Sequence, residues 1–252
     1  MKLVISGLPG CGASSLALLA SYHFGLSLIK GSASFRYIAQ HLGAVSNNDE
    51  TLIIEKEVQP YWGPVYDKLV SKLLSSESLY NDICIDSDIA GFMSETQHGL
   101  IRVFLHANMT ARTDRFSTDQ RSASPEFIKE IDQKLQREYQ QLYGFDFLNL
   151  EFVRTKYEIL IDNSDLTLAE ELNLIQTHLQ KENILGQYIN QESFDELERD
   201  FWLYGKSHFT RLLESKNLVR SGPEVIKMVV ESLSDDIKSL PEKLQNIILS
   251  IK

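Results

Sequence analysis

Cysteine is nearly absent from this chain of 252 residues, where Cys11 and Cys84 are the only two. Two cysteines without a second pair or nearby histidines in ligand spacing exclude a disulfide framework and a structural zinc site. Cys84, in an apolar run, is expected to be a buried structural thiol. Long apolar runs are missing as well. None reaches the ~18–20 residues needed to span a bilayer, and the first apolar run is too short for the core of a signal peptide. No dense run of lysine or arginine occurs and the formal net charge is −10, which excludes a broad nucleic-acid footprint. His23, His41, His98, His106, His178 and His208 show no metal or triad spacing, so structural or surface places are expected for each. Internal repeats and low-complexity segments are also missing. These absences predict a cytoplasmic protein that meets neither membrane nor nucleic acid. The hydrophobic fraction of 43% is ample for a packed core.

What is present is the stretch Gly7-Leu8-Pro9-Gly10-Cys11-Gly12-Ala13-Ser14-Ser15. The apolar run Leu3-Val4-Ile5 precedes it, and an apolar helical pattern from Leu16 to Ala20 follows. Strand, glycine loop and helix in that order form the setting of a phosphate-binding P-loop, G-x-x-x-x-G-K-S/T. Gly7, Gly12 and Ser14 fall on the pattern, and Ala13 stands where the lysine belongs. The glycines let backbone amides curl around a phosphate at a helix N-terminus. The candidate nucleotide-binding residues are therefore Gly7, Gly10, Cys11, Gly12, Ala13, Ser14 and Ser15. The lysine normally reaches the outer phosphates, and the hydroxyl after it holds magnesium. Here the cradle is present without its charged finger.

Apolar patterning predicts strands near 2–6, 26–29, 83–85, 101–105 and 157–161. It predicts helices near 14–24, 34–41, 64–74, 109–117, 125–142 and 167–180. Such alternation is the signature of an α/β fold, a mostly parallel sheet of the P-loop NTPase type with helices on both faces. Beyond about residue 180 no strand pattern occurs. Ser193 to Glu196 is a capping box that opens a helix to about 215. Ser221-Gly222-Pro223 and Pro241 open two more. The expected division is a P-loop domain over 1–182 and an all-helical extension over 183–252. Isolated helices of this length are marginal in water. Their apolar positions are therefore expected to dock partly on the core and to leave an apolar patch for a protein partner.

In a parallel sheet of this kind the ligand sits at the carboxyl ends of the strands. Asp86 ends an apolar strand, and with Ser14 it is the candidate magnesium site; capping of the next loop is the equal alternative. Arg112, Arg115 and Arg121 lie within ten positions after the next strand and are candidates for meeting phosphates. The plainer reading is a solvated helix paired with Asp114 or Asp119. Lys30, at a neighbouring strand end, is a candidate to replace the missing lysine. Asp88 adds negative charge where an anionic substrate would sit, so it receives no binding role.

Four segments in order resemble the cytidylate kinases, within the nucleoside monophosphate kinases. They are Ile5 to Gly12, Gly31-Ser-Ala-Ser-Phe35-Arg36, Asp82-Ile-Cys-Ile-Asp86-Ser-Asp-Ile-Ala90-Gly91, and Tyr139-Gln-Gln-Leu-Tyr143-Gly144-Phe145-Asp146. Ile159-Leu-Ile-Asp162-Asn163-Ser164 looks like the family's final strand. The resemblance covers about residues 1–180. It implies transfer of a phosphoryl group from ATP to a CMP-like monophosphate with Mg²⁺. It also implies that Arg36 contacts the acceptor phosphate and that the segment near 110–124 is a lid. Three departures stand out: Ala13 for the loop lysine, Asp88 for an acceptor-binding arginine, and Asp119 for a lid arginine, with Arg121 close by. Losing one preorganised charged donor typically costs ~10²–10³ in rate. Two principal readings follow: a divergent phosphotransferase with a rebuilt site, or a non-catalytic nucleotide-binding or interaction module on a kinase fold. A third is a P-loop fold that has lost nucleotide binding.

Overall fold

The structure, a computed structural model, describes residues 1–46, 53–75, 81–118, 124–184 and 193–251. The chain opens with strand β1 (Lys2–Gly7), helix α1 (Ala13–Phe24), β2 (Ser27–Lys30) and α2 (Gly31–His41). A π turn over Ile54–Val58 runs into α3 (Gln59–Leu74), followed by β3 (Ile83–Asp86), β4 (Leu100–His106) and α4 (Met109–Thr118). Then come α5 (Pro125–Tyr143), α6 (Leu150–Arg154), β5 (Ile159–Asp162) and α7 (Leu168–Lys181). The last part holds α8 (Phe194–Tyr204), α9 (Lys206–Ser215), β6 (Val219–Arg220), α10 (Gly222–Ser232), α11 (Ser234–Ile237) and α12 (Glu242–Leu249).

The strands form a six-stranded sheet in the order β5-β4-β1-β3-β2-β6, with every neighbouring pair parallel. β1 is buried along its whole length, as a central strand covered on both faces must be. Strand alternation sends Val4 to one face and Leu3 and Ile5 to the other. Val4, Ile29 and Ile85 pack with α2, α3 and the helices after Gly222. Leu3, Ile5, Leu28 and Cys84 pack with α1, α7, α8 and α9. The α/β architecture expected from the alternation is therefore present, and Cys84 is the buried thiol expected.

Three local features differ from the sequence reading. The helix expected to open at Pro64 opens at Gln59, with Pro64 inside it. Trp62, fully buried and donating its ring N–H to Ser34 Oγ at 3.0 Å, anchors this earlier part. The helix expected from Ser193 to about 215 is two helices. Gly205, at φ 78° and ψ 170°, ends α8 and opens α9, in a region of backbone space that glycine adopts at little cost. The extension is helical apart from β6, whose two residues are too few to show an alternating pattern. β6 pairs with β2, Leu28 against Val219 and Ile29 against Arg220.

The extension docks on both faces of the sheet. Leu197, Phe201, Phe209 and Leu213 join one core; Val225, Ile226, Val229, Leu244 and Ile248 join the other. Gly222 permits the close crossing of α10 over α2, since a Cβ there would lie 2.6 Å from the Ala33 carbonyl oxygen. Trp202, Leu203 and Tyr204, at the end of α8, stay exposed. No helix among the described residues is long and apolar enough to cross a membrane.

Candidate functional site

The loop between β1 and α1 turns at the carboxyl edge of the sheet. Gly10 and Gly12 have φ of 83° and 85°, the left-handed region that favours glycine. Their surroundings differ. A Cβ at Gly10 would meet the Phe116 ring at 2.7 Å, whereas one at Gly12 would meet nothing within 4 Å. Gly10 is therefore pressed against α4, and Gly12 faces open space. The loop is braced from within by Cys11 N–H donating to Leu8 O at 3.0 Å. Gly12 caps α1 without a side-chain hydrogen bond, and the first turn of α1 carries no acidic residue. Ser15 N–H bends back to Gly12 O at 2.9 Å, and the amides before it are those a helix leaves without an internal partner. This end of α1 is therefore shaped for an anion.

Ser14, in the first turn of α1, and Asp86, at the end of β3, both lie at this edge, and the Ser14 hydroxyl acts on the Asp86 carboxyl. Burial pushes the Asp86 carboxyl up, and the Ser14 hydroxyl and the Lys30 charge oppose the shift. β2 and β3 place Lys30 directly beside Asp86 in the parallel register. Burial lowers the Lys30 pKa, Asp86 raises it, and the positive charge of Arg36 lowers it again. Arg36 is exposed on α2. Lys30 and Arg36 thus stand on the β2 side of the cleft. A hydroxyl and one carboxylate are the hard oxygen donors that suit Mg²⁺, which keeps several waters and takes the rest of its ligands from substrate phosphates. The donor set fits the ion.

The arginines of α4 have other partners. Arg112 is 3% exposed. Its Nε donates to Pro9 O at 2.7 Å, and its two terminal nitrogens grip the buried Asp132 of α5 as a fork. Arg115 donates to Asn163 Oδ1 at 3.0 Å and to Asn163 O at 2.6 Å. Arg112 therefore holds the loop directly at Pro9 O, and Arg115 acts on it through Asn163, which also bonds Cys11 O. Arg121 and Asp119 lie outside the described residues.

Asn163 and Glu171 escaped the sequence reading. Asn163 Nδ2 donates to Cys11 O and to Glu171 Oε1, both at 2.8 Å. Glu171 is 2% exposed and its Oε2 has no partner among the described residues. Burial pushes its carboxyl up to about 7, against the Asn163 hydrogen bond and the Arg115 charge. Nothing in the sequence marked Glu171, because acidic residues in a first helical turn are ordinary. Burial likewise pushes the Cys11 thiol up to about 12, so it is a spacer and not a nucleophile.

The side of the cleft under β3 is acidic. Burial and the neighbouring Asp86 push the Asp88 carboxyl up to about 6, and Tyr139 donates to it at 3.5 Å. Burial pushes Asp67 up to about 6 as well, against a hydrogen bond from Tyr143. His23 is buried against the rings of Phe24 and Phe194 and is held neutral by that burial, the structural place expected of it.

No protein-family model matches the chain. A cytidylate kinase of Methanosarcina acetivorans is 26% identical over 182 residues, 70% of this chain and 94% of that protein. A cytidylate kinase 2 of Borrelia garinii subsp. bavariensis is 23% identical over 187 residues, 73% of this chain and 99% of that protein. The crystal structure of an uncharacterized protein from Eubacterium ventriosum has a TM-score of 0.50 at 11% identity, covering 71% of this chain and 98% of that one; the likeness is one of fold. Fold and loop together define an α/β protein of the P-loop type. The chain is similar to these cytidylate kinases, as its motifs indicated.

Proposed function

We propose that the protein binds ATP or a related nucleoside triphosphate at Gly7–Ser15 and transfers its terminal phosphoryl group to a CMP-like acceptor weakly or not at all. One observation carries the reading: a glycine loop open at Gly12, with Ser14 and Asp86 at the same sheet edge, and a methyl side chain at position 13 where a charge belongs. The amides at the start of α1 hold the phosphate chain. Ser14 and Asp86 hold Mg²⁺, which supplies charge neutralisation on the outer phosphates when bound. Arg112 and Arg115 fix the loop's shape through Pro9 and Asn163. Arg36 faces the acceptor phosphate, and Asp88, as the carboxylate, repels it. Phosphoryl transfer depends almost wholly on positioning and charge, so a site missing one cation and carrying an extra anion is slow. Residues 1–182 form the kinase-like unit of this scheme and 183–252 its buttress.

The test is restoration. The double variant Ala13→Lys, Asp88→Arg should raise coupled ATP–CMP turnover by at least ~10², the factor expected for one recovered donor. No gain in a folded variant would show that the deficit lies elsewhere. A second reading, a protein-interaction module, is favoured by one observation: Trp202 at 63% and Leu203 at 67% exposure beside Tyr204. Solution mass before and after Trp202→Ala, Leu203→Ser tests it.

A further inference from the structure

A second cation source reaches this edge from the far end of the chain. β6 lies parallel to β2, and consecutive parallel strands are joined by a crossover that runs back along the sheet. The segment leading into β6 obeys the same geometry. α9 ends at Ser215, Leu28 N–H donates to Leu218 O at 2.6 Å, and β6 follows at once. α9 therefore travels from the carboxyl edge of the strands to the amino edge, as α1 does. The two helices pack side by side. Phe209 meets the Tyr22 ring at 5.4 Å between centroids, and Lys216 Nζ lies 4.5 Å above the same ring. Tyr22 thus meets α9 both in its first turn and just past its end, so the two helices lie side by side. The start of α9 is Gly205-Lys206. The first turn of α9, with Lys206, therefore lies toward the carboxyl edge of the strands, the edge that also carries Ser14, Asp86 and Lys30.

We infer that Lys206, carried by the C-terminal extension, takes the part of the absent loop lysine and contacts the outer phosphates of the nucleotide bound at Gly7–Ser15. The inference rests on the nucleotide-binding reading above and deepens it. A lysine at position 13 would reach the phosphates from the first turn of α1. Lys206 reaches them from the first turn of the helix packed beside it. Its long, flexible stem and compact charge make such a relocation undemanding, because a role of this kind is fixed by geometry and not by sequence position. Lys30 is the less suitable substitute: it is half-buried and shares its strand register with Asp86. The helical extension then has a function in the site: Gly205 and β6 hold Lys206 at the sheet's edge.

Calorimetry on the full chain with Mg²⁺ and ATP, ADP or AMP tests this. Lys206→Met should weaken ATP about tenfold, the worth of one charge-assisted hydrogen bond, weaken ADP less and leave AMP unchanged. Lys206 is exposed, so the variant should remain folded, with a cooperative thermal transition. Ala13→Lys in the Lys206→Met background should restore the ATP affinity. Lys216→Ala, which removes the same charge from the other end of α9, should leave binding unchanged. If the unaltered protein binds ATP and Lys206→Met binds it equally well, the inference is overturned and the cradle reading stands. An equal loss with Lys216→Ala, or an equal loss for AMP, overturns the inference too. If the unaltered protein binds no ATP, both fall.

Discussion

Replacing Glu171 with glutamine should stabilise the protein at pH 8 and change nothing near pH 4. The Glu171 carboxyl is 2% exposed, and burial raises it from the ordinary 4.5 to about 7. In the unfolded chain the group ionises near its ordinary value; in the folded chain it resists. Its contribution is therefore fully favourable below about pH 4.5 and is lost as pH rises through about 7. Each pKa unit is worth 1.36 kcal/mol, so a shift of this size amounts to about 3 kcal/mol of destabilisation at pH 8. Glutamine keeps an oxygen for the Asn163 Nδ2 donor, which also holds the loop through Cys11 O at 2.8 Å, and it cannot ionise. Urea unfolding of both proteins between pH 4.5 and 8.5 gives the difference directly. It should be near zero at the acid end and grow to about 2–3 kcal/mol in favour of the variant at the alkaline end. A difference independent of pH, or a wild type that gains on the variant as pH rises, would refute the reasoning.

Three further outcomes are expected. Asp132→Ala should cost about 3–5 kcal/mol in chemical denaturation, because it leaves the guanidinium of Arg112 buried without its partner; a cost below about 1 kcal/mol would mean that the pair is exposed to solvent. Arg36→Ala should weaken CMP binding more than ATP binding by calorimetry, and equal losses would remove Arg36 from the acceptor side. Truncation after residue 182 strips Leu197, Phe201, Phe209 and Leu213 from one core and Val225, Ile226 and Val229 from the other, so cooperative thermal unfolding should disappear; a sharp, unshifted transition would contradict the docking.

Much of the architecture was legible because it is written in local pattern. Leu3-Val4-Ile5 before Gly7 and Gly12 announces a strand and a phosphate loop, and the structure has β1, the turn and α1 at those residues. Ser193 forms the capping box that Glu196 promised, and a helix opens after Ser221 as its Gly222-Pro223 suggested. The failures share one cause: the deciding contact is distant in sequence. Gly205 reads as a tolerable residue within a helix until α9 must fold back over α1. Val219–Arg220 becomes a strand only because β2 offers it an edge. In the site, Arg112 and Arg115 were singled out as candidates for meeting phosphates. Their actual partners, Asp132 and Asn163, lie 20 and 48 positions away, and no spacing rule reaches that far. Lys206 was invisible for the same reason, since nothing around it in the sequence suggests a phosphate site.

The central claim is a cradle that binds nucleotide and transfers its phosphate poorly. The most direct measurement pairs ATP calorimetry, with and without Mg²⁺, and coupled ATP–CMP turnover on one sample, beside the Methanosarcina acetivorans cytidylate kinase. The account predicts saturable, Mg²⁺-dependent ATP binding with turnover at least ~10² below that enzyme. Turnover equal to that enzyme, or no heat of ATP binding at all, would contradict it.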